Sequence, residues 1–335
     1  MKGHRNIPIF IPHLGCPNQC VFCNQRSISG CKSFCPEDVK EQIEAALSTE
    51  CGERDTEIAF FGGSFTGIDR DLMLRLLDIA QGYVDKGRVS GIRFSTRPDY
   101  ISSEILDLLS AYTVKNIELG LQSMDDRVLA ASRRGHTARD AEWACREIVA
   151  RKIPLTGQMM IGLPKSDPES EIDTAQRIVS LGASFARIYP TVVFFDTPLC
   201  DMARRGEYTP LPLEEAVTRA ANAYEVFLNA DVSCLRIGLC ASEELVSEDF
   251  VFAGPNHPAL GELVMSEVYY RKILAFLKSN SLLGKEIVLE VPLRELSRAI
   301  GQHRQNVERL LLETQTRVVR VKGVSDKDRI FAYSP

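Results

Sequence analysis

Three cysteines near the amino terminus are the residues whose types and spacing best suit metal chemistry. Cys16, Cys20 and Cys23 fall within eight residues in the pattern C-x3-C-x2-C. Thiolates are the usual ligands of iron–sulfur clusters, and a four-iron cubane usually takes four cysteines. Three cysteines therefore leave one iron of such a cluster free to bind another molecule.

A structural zinc site is the main alternative for these cysteines. Zinc sites commonly close a tetrahedron by adding a second pair of cysteines or histidines, and Cys31 and Cys35 are available for that purpose. We favour a cluster because the loop follows a predicted strand and because Phe22, beside the last cysteine, can shield a redox centre from water. The role of Cys31 and Cys35 stays open between metal ligands, redox partners and bystanders.

The composition is that of a globular protein. The chain has 335 residues, of which 44% are hydrophobic and 25% are charged, enough for a barrel-sized domain with a small appendage. The net charge of -5 does not suggest a protein that coats nucleic acid. Ten cysteines without a signal peptide or a long apolar run predict a reducing, cytoplasmic setting and no membrane segment.

Short apolar runs alternate with amphipathic helical patterns at intervals of roughly thirty residues, which is typical of βα units and a parallel sheet. The runs predicted as strands are 7–14, 57–61, 91–95, 116–121, 154–161, 183–193 and 232–239. This pattern predicts an α/β fold, a partial or complete (β/α) TIM-type barrel. A doubly wound open sheet is the alternative, but no dinucleotide fingerprint follows the first strand.

The carboxyl-terminal part has a different character. We predict a barrel domain over residues 1–240, a connecting helical segment over 241–281 and a small α+β domain over 282–335. This last segment has ten Lys and Arg and seven Asp and Glu, a net charge of +3, while the chain as a whole carries -5.

Several candidate residues follow predicted strands, where the chemistry of such barrels sits. Gly62, Gly63, Arg97 and Gln122 fall on this one rim, although the glycine pair also suits a simple tight turn and Arg97 also suits a solvent-exposed position.

Two further arginines lie within strand-like apolar runs. Arg187 and Arg236 are expected to meet an anion there, either a substrate carboxylate or phosphate or an internal partner such as Glu118. Tyr189 is a weaker candidate for the same cavity.

At this point the sequence resembles a known family. C-x3-C-x-Phe-C after a first strand is the pattern of radical S-adenosylmethionine (SAM) enzymes, and the chain resembles the branch that includes the elongator catalytic subunit, with anaerobic coproporphyrinogen oxidase more distant. The resemblance spans residues 5–240 and rests on further motifs in matching order: Phe61-Gly62-Gly63-Ser64-Phe65, Thr96-Arg97-Pro98-Asp99, Glu118-Leu-Gly-Leu-Gln122-Ser123, Arg134-Gly135-His136-Thr137, Gly162-Leu163-Pro164, Ile188-Tyr189-Pro190-Thr191 and Leu235-Arg236-Ile237-Gly238-Leu239.

The resemblance implies a mechanism and two cofactors. Cys16, Cys20 and Cys23 would hold a [4Fe-4S] cluster, and the amino and carboxylate groups of SAM would chelate the fourth iron. Reductive cleavage of SAM would give a 5′-deoxyadenosyl radical that abstracts hydrogen from the substrate. The implied electron donor is a protein such as ferredoxin or flavodoxin.

The same resemblance implies roles for the residues of the rim. Backbone carbonyls at Gly62, Gly63 and Ser64 would accept hydrogen bonds from the SAM ammonium group; Ser64 stands where the family often has an acidic residue. Arg97 would meet the SAM carboxylate or the substrate, and Gln122 would meet a ribose hydroxyl.

The tail resembles a KH domain, which clamps single-stranded nucleic acid with a G-x-x-G loop between two helices. The loop reads Gly301-Gln302-His303-Arg304, so its second glycine is missing, while Arg304 adds a charge for phosphate. Gly301, His303 and Arg304 are the nucleic-acid candidates. A packing domain of KH shape that binds no RNA is the alternative.

Both resemblances together predict a radical SAM enzyme that modifies RNA, either tRNA or ribosomal RNA. Transfer of an acetyl-derived group is not carried over, because we find no acetyltransferase domain in this sequence. One alternative is a radical SAM enzyme acting on a small carboxylated molecule such as a tetrapyrrole, with Arg187 and Arg236 binding its carboxylates. Another is a non-catalytic RNA-binding protein with a structural cluster.

Overall fold

A seven-stranded parallel sheet forms the centre of the computed structural model, which describes residues 3–11, 14–16, 20–24, 34–49, 54–239, 249–325 and 329–334. The strands are β1 (Gly3–Phe10), β2 (Arg54–Phe61), β3 (Gly91–Thr96), β4 (Val114–Gln122), β5 (Leu155–Ile161), β6 (Phe185–Pro190), β7 (Val193–Phe194), β8 (Ser233–Ile237), β9 (Val251–Ala253), β10 (Glu286–Pro292), β11 (Arg317–Val324) and β12 (Phe331–Tyr333).

Helices follow most strands of this sheet, as expected for βα units. They are α1 (Val39–Ser48), α2 (Arg70–Asp85), α3 (Ser103–Leu109), α4 (Asp126–Ala131), α5 (Ala138–Ala150), α6 (Pro168–Ser180), α7 (Pro198–Arg204), α8 (Leu213–Asn229), α9 (Leu260–Ser279), α10 (Leu296–Ile300) and α11 (Gln305–Thr314). Among the described residues, no helix combines the length and the hydropathy needed to cross a membrane.

The sheet is open, so the barrel is partial. Its order is β1-β2-β3-β4-β5-β6-β8, every neighbouring pair is parallel, and β1 and β8 form the two edges. The prediction of a partial or complete TIM-type barrel is therefore confirmed in its partial form. The single strand predicted over 183–193 is wrong: it divides into β6 and β7 after Pro190, and β7 pairs antiparallel with β9.

The two faces of each strand differ in chemistry, as the period of two requires. On β4, Ile117 and Leu119 join the apolar core against the helices, whereas Glu118 turns to the opposite, concave face and meets polar side chains of the neighbouring strands. The concave face of the barrel is consequently polar in its middle layer.

The carboxyl-terminal part has a core of its own. Its sheet has the order β11-β10-β12, with β10 parallel to β11 and antiparallel to β12, and α10 and α11 connect β10 to β11. Ile287 and Leu289 pack there with Tyr270 and Leu277 of α9, while Val264 of the same helix packs in the barrel core. The second core therefore includes residues before 282, and the predicted connecting segment holds β9 as well as α9.

Candidate active site

The cysteine loop is seated against the turn that follows β2. A Cβ atom on Gly63 would lie 2.4 Å from the carbonyl oxygen of Leu14, and one on Gly15 (φ +74°) would lie 2.2 Å from that of Ser64. The amide of Ser64 donates to the carbonyl oxygen of Leu14 at 2.8 Å. Glycine is needed at both positions because two backbones meet there.

The cysteines themselves differ in burial. Cys20 is buried, Cys23 is half-buried and Cys16 is exposed. Two backbone hydrogen bonds hold Val21, which lies between Cys20 and Cys23. Its amide donates to the carbonyl oxygen of Ser132, and its carbonyl oxygen accepts from the amide of Leu199.

Phe22 packs over the concave face beside Val128, Met160, Leu163 and Tyr189. It therefore lies where it can shield the cysteine loop from water, which fits the role predicted for it.

Arg134 joins the cysteine loop to the sheet. Its Nη1 donates to Sγ of Cys20 at 3.4 Å, and its Nη2 donates to the carbonyl oxygen of Gly120 at 2.6 Å. A Cβ on Gly120 would lie 2.7 Å from Nη2, so glycine leaves room for the guanidinium. Reasoning from strand ends missed this residue because it follows α4; the motif Arg134-Gly135-His136-Thr137 was its only signal.

Arg97 is buried at the end of β3, so the alternative of a solvent-exposed arginine is wrong. Nε and Nη2 donate to the two carboxylate oxygens of Asp99 at 2.9 and 2.8 Å, and Nη2 also donates to the carbonyl oxygen of Arg134 at 2.5 Å. Its amide donates to Oγ of Ser64. Burial lowers the pKa of Arg97, but the bonds to Asp99 outweigh this and raise it, so the residue is charged.

Gln122 ends β4 in a strained conformation. Its φ is +67°, and the β4–β5 register shifts between Gly120 and Gln122. Such bulges re-aim side chains, and left-handed backbone in a residue other than glycine costs about 1–3 kcal/mol. The strain therefore marks Gln122 as a candidate functional position.

Unpaired polar atoms converge around these residues. Nη1 of Arg97, Oε1 of Gln122 and Nε of Arg134 are buried and have no hydrogen-bond partner among the described residues. Buried polar groups are rarely left unpaired without a reason. Two guanidinium donors suit a carboxylate, and the amide oxygen suits a hydroxyl or an ammonium group.

His136 lies behind this group of residues. Its side chain is buried, and neither ring nitrogen has a hydrogen-bond partner within the described part of the chain. Burial, assisted by the charge of Arg134, lowers the pKa of His136 to about 3. The imidazole is therefore neutral at any ordinary pH.

A polar network crosses the concave face below the rim. Glu118 accepts hydrogen bonds from Arg187 at 2.9 Å, Arg93 at 3.2 Å and Gln158 at 2.7 Å, and Arg93 also donates to Glu57 at 2.5 Å. Two carboxylates thus balance two guanidinium groups. Of the two partners left open for Arg187, the structure shows the internal one.

The other substrate candidates divide between this network and the surface. The hydroxyl of Tyr189 accepts from Nη1 of Arg187 at 3.3 Å. Arg236 is exposed on the edge strand β8, where its Nη1 lies 3.5 Å from the carbonyl oxygen of Leu239. Arg236 is the cross-strand neighbour of Arg187 in the register of β6 and β8, but its side chain is exposed, whereas Tyr189 contacts Arg187 directly.

The loop with the KH-like motif has an unusual backbone. Gly301 has φ +77° and packs against Asn306, while His303 (φ +51°) and Arg304 (φ +65°) are exposed in left-handed conformations. Asn306 is buried and donates to the carbonyl oxygen of Arg298 at 2.8 Å, which fixes the loop.

Of the two further loop cysteines, Cys35 is within the described residues. Cys35 is exposed and its thiol donates to Glu37 at 3.2 Å, while Cys31 lies outside the described residues.

Comparison with known families gives two matches that together span most of the chain. The model of the radical SAM superfamily matches residues 10–178, and that of the Radical_SAM C-terminal domain matches residues 183–270. An uncharacterized protein of Methanocaldococcus jannaschii is 30% identical over 65% of this chain and 70% of its own length.

Two named proteins are also similar. A tRNA uridine(34) acetyltransferase of Methanocaldococcus jannaschii is 29% identical over 53% of this chain, and the matched region covers only 37% of that enzyme. The structure of Elp3 from Methanocaldococcus infernus has a TM-score of 0.63 at 20% identity, over 90% of this chain and 67% of the other. The resemblance to the elongator-like branch is thereby confirmed.

Proposed function

Since this chain belongs to the radical SAM superfamily, we propose that Cys16, Cys20 and Cys23 bind the [4Fe-4S] cluster of that family and that the chain modifies RNA. The chain is a radical SAM enzyme, and its cofactors are a [4Fe-4S] cluster and SAM. Held by Cys16, Cys20 and Cys23, the bound cluster would supply the electron for reductive cleavage of SAM.

The residues present fit these cofactors. The contact between Arg134 and Sγ of Cys20 carries the assignment, because hydrogen bonds from protein donors to the ligand sulfurs are a regular feature of iron–sulfur sites. The turn at Gly62 and Gly63 seats the cysteine loop, and Phe22 packs beside it with apolar side chains of the concave face.

The unpaired atoms beside the loop support a SAM site. Nη1 of Arg97 and Nε of Arg134 would bind the carboxylate of SAM, and Oε1 of Gln122 would accept a hydrogen bond from a ribose hydroxyl. Asp99 holds Arg97 in place through two bonds, so the donors are ordered before SAM arrives. The backbone at Gly62, Gly63 and Ser64 remains the proposed partner of the ammonium group.

RNA, either tRNA or ribosomal RNA, is the substrate class that we favour. The similarity to a tRNA uridine(34) acetyltransferase supports it, as does the positive charge of the carboxyl-terminal part. A small carboxylated substrate such as a tetrapyrrole fits less well, because Arg187 is already neutralised by Glu118 and Arg236 lies on the surface. An enzyme that modifies RNA would act in the cytoplasm, where it would receive electrons from a protein such as ferredoxin or flavodoxin.

The cluster assignment is tested by anaerobic reconstitution with iron, sulfide and dithionite, followed by measurement of 5′-deoxyadenosine. Cys20→Ala should lose SAM cleavage by at least about 100-fold and bind little iron, because three ligands are needed for the cluster. Cys145→Ala is the matched control, since Cys145 is buried in α5 away from the loop and burial raises the pKa of its thiol to about 12. Cleavage by Cys20→Ala at the wild-type rate contradicts the assignment.

The RNA substrate is tested by isotope transfer. RNA from cells grown in deuterated medium should pass deuterium to 5′-deoxyadenosine, because the radical takes hydrogen from its substrate. Nuclease digestion of the same RNA should abolish the transfer. Deuterium arriving instead from a fraction of small metabolites contradicts the proposal and favours the tetrapyrrole-like alternative.

A further inference from the structure

Two clefts flank α9, and they differ sharply in charge. We name the first the basic groove: it has a volume of about 640 Å³, lies between α8, α9 and the carboxyl-terminal unit, and its charged lining consists of Lys272, Arg294, Arg298, Arg329 and Glu295. The four cations and one carboxylate carry a net charge of +3, although the chain as a whole carries -5. Such a local excess is expected at a surface that binds an anionic partner.

The second cleft reaches the G-x-x-G-like loop through Gln302 and has a volume of about 530 Å³. Its charged lining consists of Glu214, Glu267 and Arg309, which together carry a net charge of -1. Arg309 is already paired with Glu267. This cleft therefore has no excess of positive charge to attract phosphate, although it adjoins the G-x-x-G-like loop.

The cations of the basic groove are only partly neutralised. Arg298 lies 3.0 Å from Glu295 and 3.6 Å from Glu262. Lys272 and Arg329 are exposed, and neither has a carboxylate partner within the part of the chain that the structure describes. These two side chains are therefore available to an incoming anion.

The floor of the basic groove is aromatic and apolar. Tyr224 and Leu228 of α8 lie there with Tyr269 and Phe276 of α9. Leu228 is 37% exposed, so part of this apolar surface faces solvent. An aromatic floor with a cationic rim matches the way that proteins bind single-stranded nucleic acid, with bases stacked on the rings and phosphates on the cations.

We propose that the basic groove binds single-stranded RNA, with bases on the half-buried rings of Tyr224 and Phe276 and phosphates on Lys272 and Arg329. This inference rests on the proposed RNA substrate and names a surface for it outside the barrel mouth. It also moves the RNA contact of the KH-like unit away from the loop at Gly301 and onto the opposite side of α9.

The test measures binding of a single-stranded 12-nucleotide RNA to the full chain by fluorescence anisotropy over a series of salt concentrations. The double substitution Lys272→Glu and Arg329→Glu should weaken binding at least about tenfold at 0.1 M salt. It should also reduce the slope of log K against log salt by about 1.4, since each phosphate contact on a single strand contributes about 0.7.

The matched control reverses two other exposed cations, Lys86→Glu and Arg139→Glu. It changes the net charge equally, so it should leave both the affinity and the slope close to wild type. An equal loss in the control shows a general charge effect and overturns the proposal. A stronger loss for Arg304→Glu than for the groove variant returns the contact to the G-x-x-G-like loop and also overturns it.

Two further readouts separate this inference from the proposed function. The groove variant should cleave SAM like wild type when RNA is absent, which shows that it is folded and carries its cluster. Wild-type binding of RNA with no loss in the groove variant refutes the groove alone, whereas no RNA binding by wild type refutes the RNA substrate as well. Duplex RNA should bind more weakly than the single strand, and equal affinity contradicts stacking on the floor.

Discussion

The guanidinium of Arg134 lies 3.4 Å from Sγ of Cys20, and the carbonyl oxygen of the same residue accepts a hydrogen bond from Arg97. One residue thus connects the proposed cluster ligand to the arginine that we assign to SAM. The connection is buried, since Arg134 is 7% and Cys20 is 4% exposed. Electrostatic contacts in such a setting are weakly screened.

The first prediction concerns the potential of the cluster. Arg134→Gln should retain iron but lower the reduction potential, because a hydrogen bond to a ligand sulfur favours the more negative, reduced cluster. A charged hydrogen bond contributes about 1.5–3 kcal/mol, which is on the order of 60–130 mV for one electron. Redox titration followed by electron paramagnetic resonance measures the shift. The exposed neighbour Arg133, changed to Gln, should leave the potential unchanged, and an equal potential in both variants contradicts the role of Arg134.

The rim of the barrel could be anticipated from the sequence, and the residue that joins its parts could not. Arg97 follows β3 and Gln122 is the last residue of β4. The carboxyl ends of parallel strands meet at one edge, so the proximity of these two residues follows from the strand pattern. Arg134 follows a helix and reaches the site by folding back over Gly120. That contact depends on tertiary packing, which the hydrophobic periodicity of the sequence does not predict.

The contacts between side chains on different strands could not be predicted from the sequence either. The sequence places Arg187 on β6 and Glu118 on β4, but it does not say whether the arginine meets that carboxylate or a ligand. The choice depends on register, because a shift of one residue would turn either side chain to the other face. The basic groove is a stronger example, since its rim combines Lys272 of α9 with Arg329, which precedes β12.

The second prediction concerns the glycine pair. Gly63→Ala should displace the cysteine loop, because the new Cβ would lie 2.4 Å from the carbonyl oxygen of Leu14 and 2.6 Å from that of Ile11. We expect the variant to fold and to lose at least half of its bound iron after reconstitution, as measured by iron content and visible absorbance. Gly82→Ala is the control, since a Cβ there meets no atom within 4 Å. Full iron content in Gly63→Ala contradicts the seating of the loop on this turn.

The third prediction concerns the polar network of the concave face. Glu118→Gln should lower the free energy of unfolding by about 3–5 kcal/mol, because Arg187 would be left buried without a carboxylate. Urea denaturation followed by circular dichroism measures the change. Glu104→Gln breaks an exposed ion pair with Arg70 and should cost less than about 1 kcal/mol. A loss below 1 kcal/mol for Glu118→Gln would mean that Arg187 is compensated by another group.

The fourth prediction concerns pH. Burial holds the pKa of His136 at about 3, below the value of 6.5 for a free histidine. Between those two values the unfolded chain binds a proton that the folded chain does not, so this histidine makes stability fall as the pH falls. The contribution is fully present above pH 6.5, and about 2 kcal/mol of it should be lost between pH 7 and pH 5.

His136→Gln removes this titration, so the drop in unfolding free energy between pH 7 and pH 5 should be smaller by that amount. Comparing the pH difference within each variant keeps any constant loss of packing out of the result. His303→Gln is the control, because that histidine is exposed in the loop after α10. If His136→Gln loses as much stability as wild type over this range, the histidine has the same pKa in the folded and unfolded chain, and burial does not lower that pKa.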